Sequence, residues 1–176
     1  SNQSYIVHPD GFTIPYDSEK IHGISTQLAK KIGVDISFVL NKFQEDLKKS
    51  QFMCGHNLNF DEKILGAEYL RSDGNNPLQD FPKIDTCTEE TAGICMLKGG
   101  RGRKFKLPTL MELYTHLFNK KFESAHNATA DVEATALCLF KLLKDQKIFP
   151  LIHLLLRKLG FMHYNLLKKI LERKNT

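Results

Sequence analysis

The stretch Gln51-Phe52-Met53-Cys54-Gly55-His56-Asn57-Leu58-Asn59-Phe60-Asp61 decides the architecture. Residues Gln51 to Cys54 read as a short buried strand, and the chain then passes through Gly55-His56-Asn57 into a helix from about Leu58 to Arg71. Ser72 to Pro82 is polar, with Gly, two Asn and Pro, and reads as a loop. Lys83 to Cys87 reads as another strand, followed by a helix near Glu89 to Met96. Strands alternating with helices predict an α/β layered domain. Few strands are visible for a central sheet.

Working outward, Tyr5 to His8 alternates and breaks at Pro9-Asp10-Gly11, the pattern of a strand entering a turn. Ser25 is placed to cap a short helix ending near Gly33. Asp35 caps a longer one, in which Ile36, Val39, Leu40, Phe43 and Leu47 share a stripe. On the other side, Pro108 suits a helix start, where its missing N–H costs nothing, and that helix runs to about Phe118. Asn127 to Lys144 reads as a long helix with Ala128, Val132, Ala136, Leu139 and Leu143 on or near one side. Leu151 to Arg173 is helical and amphipathic, with Leu151, Leu155, Leu159, Met162, Leu166 and Ile170 in one stripe. The chain thus divides into a domain at 1–147 and an extension at 148–176. The extension is expected to dock at home, or to serve a protein partner or self-association through 151–173.

With 176 residues, 41% hydrophobic and 26% charged, the chain has the composition of one soluble globular domain, which excludes wholesale disorder and a collagen-like fibre. No uncharged apolar run reaches the roughly 18 residues of a spanning helix, so no membrane is expected as partner. Cys54, Cys87, Cys95 and Cys138, spaced by 33, 8 and 43 residues, contain no CxxC and no Cys/His knuckle. They read as free thiols of a reducing cytoplasm, and a cytoplasmic location is the expectation.

The net charge of +5 is unevenly spread. Residues 141–176 hold nine Lys/Arg and two acids, a net +7, which leaves −2 for residues 1–140. A second cluster, Lys98-Gly-Gly-Arg101-Gly-Arg103-Lys104-Phe105-Lys106, has five basic residues and no acid. Gly-rich and basic, it reads as a mobile loop able to follow a phosphate backbone, with Arg101, Arg103 and Lys104 as substrate contacts.

Two segments carry groups suited to chemistry. In Gly55-His56-Asn57-Leu58-Asn59-Phe60-Asp61, residues Asn57 and Asp61 are four apart and would share a helix face. In Ala125-His126-Asn127-Ala128-Thr129-Ala130-Asp131, His126 precedes the long helix and Asp131 is expected in its second turn, both pointing off one end. A histidine there can take a proton from water, and a nearby carboxylate can hold a divalent cation.

An Asn-x-x-Phe-Asp segment followed 65 residues later by His-x-x-x-x-Asp at a helix start resembles the second and third motifs of the DEDDh exonucleases. That is the family of the proofreading subunit of bacterial DNA polymerase III. Ile21-His22-Gly23-Ile24-Ser25, Ile84-Asp85-Thr86 and Leu107-Pro108-Thr109-Leu110-Met111-Glu112-Leu113 fit the same pattern, and the likeness spans Tyr5 to Leu143.

The resemblance implies a ribonuclease H-like fold, a mixed five-stranded sheet flanked by helices. It implies His126 as general base, Asp61 and Asp131 as metal ligands, and Asn57 and His22 as substrate contacts. Two divalent cations, Mg²⁺ or Mn²⁺, would serve hydrolysis of 3′ ends of single-stranded DNA, or RNA, to nucleoside 5′-monophosphates. The family's first motif, Asp-x-Glu followed by Thr-Gly on the opening strand, has no counterpart in the sequence; Asp17 and Glu19 stand in another context, before His22-Gly23. The expectation is a chain recorded without its first strands; the alternatives are a degenerate relative, or strands donated by another chain. In function, the alternative to the enzyme is a non-catalytic nucleic-acid-binding module.

Overall fold

The computed structural model describes residues 3–100, 102, 104–122 and 127–145. The expected helix at Leu151 to Arg173 and the extension at 148–176 lie outside them.

The quoted stretch folds as read. Strand β1 (Met53–Gly55) pairs in parallel with β2 (Lys83–Asp85), Cys54 opposite Ile84, with helix α4 (Leu58–Asp73) crossing between them. Helix α4 stops where Gly74 takes φ +75°, a conformation costly for any residue with a Cβ. Seven helices and this two-stranded parallel sheet make the described residues a helix-rich α/β structure.

Helices α2 (Thr26–Ile32) and α3 (Ile36–Lys49) start where the capping residues predict. Ser25 Oγ accepts from Leu28 N–H at 3.0 Å, and Asp35 Oδ1 from Ser37 N–H at 2.7 Å. The buried Tyr69 hydroxyl donates to the Leu40 carbonyl at 2.7 Å, tying α4 to α3.

Three readings change. The expected strand at Tyr5 to His8 is a single parallel bridge, Val7 to Val34. Gly33 lies so close under His8 that a Cβ there would stand 2.7 Å from the His8 nitrogen. A helix the sequence does not announce, α1 (Tyr16–His22), buries none of its side chains. Pro108 is not the first helical residue of α6 (Leu110–Phe118). Thr109 caps it, accepting from Glu112 N–H at 3.2 Å, while Glu112 Oε2 accepts from Thr109 N–H at 2.8 Å.

The core lies where α6 packs on α7 (Ala128–Lys144), α7 on β1, and α5 (Glu89–Cys95) on α6. Leu113, Cys138 and Leu142 are fully enclosed there, beside Ile84 of β2. Each enclosed leucine contributes about 1.5–3 kcal/mol through burial. Cys54, Cys87, Cys95 and Cys138 are free thiols. Burial, with Asp85 nearby, pushes Cys54 up to about 12; burial, with Cys95 nearby, does the same to Cys138. Both stay protonated at neutral pH, so neither serves as a thiolate nucleophile. Among the described residues no helix is long and apolar enough to cross a membrane.

Candidate functional site

The turn between β1 and α4 is built around the Asp85 carboxylate at the end of β2. Its Oδ1 accepts from Asn57 N–H and Cys87 N–H, each at 2.8 Å, and its Oδ2 from Leu58 N–H at 2.9 Å. Two of these donors are N–H groups at the helix start, which no intrahelical carbonyl can satisfy. A carboxylate there is also favoured by the helix dipole. Asp85 thus caps α4 from a neighbouring strand, a task Asn57 does not perform, since its side chain makes no capping bond.

Asn57 itself takes φ +65°, in the left-handed region that asparagine tolerates better than most residues. It therefore stands outside the helix, and the expected shared face of Asn57 and Asp61 is not formed. Asp61 lies in the first turn of α4. Its surface remains exposed, yet crowding by its surroundings, with Asp85 nearby adding like charge, raises its carboxyl above the usual range.

His56 joins this turn to the segment before α6. Its Nε2 lies 2.9 Å from the Pro108 carbonyl, which can only accept, so Nε2 carries a hydrogen. Its Nδ1 lies 2.9 Å from Thr86 Oγ1, and that buried hydroxyl is also 3.1 Å from the Gly55 carbonyl. Burial lowers the His56 pKa, so the ring is neutral at pH 7 and the Thr86 hydroxyl donates to Nδ1.

Asp131 is in the first turn of α7, one turn earlier than the sequence reading has it, and is half-buried. Asn127 caps that helix, its Oδ1 accepting from Thr129 N–H at 3.0 Å and Ala130 N–H at 3.4 Å. Both acids thus open helices that abut β1, α4 by following it and α7 by packing on it. His126, Arg101 and Arg103 lie outside the described residues. His22 ends α1, its Nδ1 accepting from Ile24 N–H at 3.0 Å, a local turn bond on an exposed helix.

The described residues of the basic segment are joined by backbone bonds. Lys106 N–H donates to the Leu97 carbonyl at 3.0 Å, Lys98 bridges Phe105 in antiparallel fashion, and Gly102 turns with φ +81°. Lys104 is exposed and stands over the Phe105 ring at 5.2 Å, while Lys106 is paired with Glu112 at 2.7 Å. Lys106 is thus spent locally.

Among the described residues no group of three His, Cys, Asp or Glu side chains converges to hold a metal ion. Asp61 and Asp131 bring two negative charges where two divalent cations bring four positive ones, so these residues alone do not fit a two-cation centre. Asp85, His56 and Thr86 are the residues that sequence reasoning passes over, although Ile84-Asp85-Thr86 stands out as a motif. No protein-family model matches the chain, and a search of curated proteins returns no match.

The raised Asp61 carboxyl yields a signed expectation. The folded chain holds this proton more tightly than the unfolded one, so stability falls as pH rises from 3.8 through the raised value. Asp61→Asn should therefore raise the melting temperature slightly at pH 7, and the gain should vanish below about pH 3.8. The gain is small because the group is exposed to solvent. Melting curves at pH 3 and pH 7 check it; an equal shift at both would assign the effect to packing instead of charge.

Proposed function

We propose that this chain belongs to a metal-dependent 3′–5′ exonuclease with a ribonuclease H-like fold, acting on single-stranded nucleic acid. The observation that carries the reading is the position of Asp61 and Asp131, each in the first turn of a helix abutting β1, within two motifs of matching spacing. In this reading Asp61 and Asp131 are part of the carboxylate set for Mg²⁺ or Mn²⁺, and other ligands come from outside the described residues. Such cations would supply electrostatic stabilisation of a phosphodiester under attack. His126, next in sequence to the cap Asn127, takes the proton of the attacking water. Asn57 and His22 contact the substrate, and Lys104, with Arg101 and Arg103, follows the phosphate backbone.

The experiment uses the full-length protein that carries this sequence, a 5′-labelled single-stranded oligonucleotide, and Mg²⁺ or Mn²⁺. The label should shorten stepwise from the 3′ end, releasing nucleoside 5′-monophosphates. An oligonucleotide that is bound but stays intact with either ion would replace the enzyme by the non-catalytic binding module. DNA and RNA of one sequence, run side by side, identify the substrate.

A further inference from the structure

Leu97 and Lys106 are the feet of a short antiparallel ribbon. Lys106 N–H donates to the Leu97 carbonyl at 3.0 Å, Lys98 bridges Phe105, and Gly99 N–H donates to the Lys104 carbonyl at 3.4 Å. The Leu97 foot packs on the core. The Lys106 foot runs on through Leu107 to Pro108, which is fully enclosed. Two residues of chain span about 7 Å at most, so the place of Pro108 sets the place of Lys106.

Pro108 is held by His56. The bond from Nε2–H to the Pro108 carbonyl, at 2.9 Å, joins residues 52 apart, one in the β1–α4 turn and one at the ribbon's foot. The other attachments of this foot are weaker or lead elsewhere. The Cys87 thiol, a poor donor, lies 3.5 Å from the same carbonyl. The half-exposed Lys106–Glu112 pair ties the foot to α6 and not to the turn. The His56 ring is clamped from its other side too. Its Nδ1 accepts from Thr86 Oγ1 at 2.9 Å, and Thr86 is fully buried, its own N–H on the Gly55 carbonyl at 2.9 Å.

We infer that His56 is a positioning residue: it fixes the foot of the basic ribbon against the β1–α4 turn, so that a single strand following Lys98 and Lys104 is delivered to Asn57. The substrate in this inference rests on the nucleic-acid reading above; the pin between turn and ribbon does not. His56 itself touches no substrate. Asn57 follows it directly and is exposed, as are Lys98 and Lys104. The four residues from Lys104 to Pro108 span about 14 Å at most, so ribbon and turn address neighbouring stretches of one strand. A strand too short to touch the ribbon would gain nothing from the pin.

The test uses the full-length protein that carries this sequence, with His56→Asn and His56→Gln. The asparagine oxygen can replace Nδ1 as acceptor for Thr86, but that side chain is too short to reach Pro108. The glutamine amide nitrogen can replace Nε2 as donor to Pro108. At a temperature where all three proteins are folded, His56→Asn should raise KM for a long single-stranded oligonucleotide about 10-fold, the scale of one lost hydrogen bond, and leave kcat within about twofold. Hydrolysis of a dinucleotide should be unchanged, and His56→Gln should restore KM. Amide hydrogen exchange at Lys106 should quicken in His56→Asn and return to the parent rate in His56→Gln. Unchanged exchange at Lys106 in His56→Asn, or equal losses in the two variants, would overturn the pin. A dinucleotide slowed as much as the long strand would overturn the assignment to the ribbon. A parent that neither cuts nor binds single strands would overturn the nucleic-acid reading, and the exchange rates would still decide the pin.

Discussion

Asp85→Ala should cost about 2–4 kcal/mol of folding stability, because one carboxylate holds three backbone N–H groups and charged hydrogen bonds contribute about 1.5–3 kcal/mol each. Water can reach the exposed Asn57 N–H once the carboxylate is gone, which keeps the loss below the sum of the three. Removing the negative charge also relieves Asp61, whose carboxyl Asp85 helps to raise. Asp85→Asn should fall between. Its remaining oxygen can still serve Asn57 and Cys87, but its amide hydrogens would face the Leu58 N–H, now without an acceptor. Urea titrations at pH 7 measure all three proteins. An alanine variant within about 0.5 kcal/mol of the parent would mean that the cap is dispensable.

His126→Ala should cut turnover of the full-length protein by about 10²-fold or more, the scale on which a lost general base acts. Single-strand affinity should hardly change, since the imidazole serves the water and not the phosphate backbone. The pH profile separates this from a structural effect. A base that works in its neutral form makes the parent rate climb as rising pH deprotonates it, and the variant should lack the climb. A variant that melts with the parent and retains most of its turnover would take His126 out of the role. One that keeps the climb would assign it to another group.

The parts of the fold that were legible are those with local causes. Ser25, Asp35 and Asn127 announce their helices because a cap is a contact between near neighbours in sequence. Helix α6 shows how two local signals compete: Pro108 suggested one start, whereas Thr109 and Glu112 close a reciprocal cap one residue later. Helix α1 left no trace because it buries nothing, and an element without a buried face has no apolar period to read. At the candidate site, Asp61 and Asp131 were legible as acids at helix starts. The Asp85 cap was not, since its donors Asn57 and Leu58 lie 28 and 27 residues away and reach its carboxylate only once β1 and β2 are paired. The same holds for His56, whose partner at Pro108 is 52 residues distant.

The pairing of β1 with β2 also bears on how fast this chain can organise. Met53 meets Lys83 only after the intervening residues close into a loop, which for a flexible chain of about 30 residues costs roughly 3 kcal/mol of entropy by the logarithmic rule. Three ladder positions return little against that cost. Helix α4 changes the problem, because its 16 residues, once wound, form a rod roughly 24 Å long instead of a wandering coil. The loop to be closed is then mostly prefolded, and Asp85 can find the rod's N-terminus as the strands meet. Strand pairing in this protein therefore waits on a helix, and substitutions that weaken the winding of α4 should slow its folding more than they hasten its unfolding.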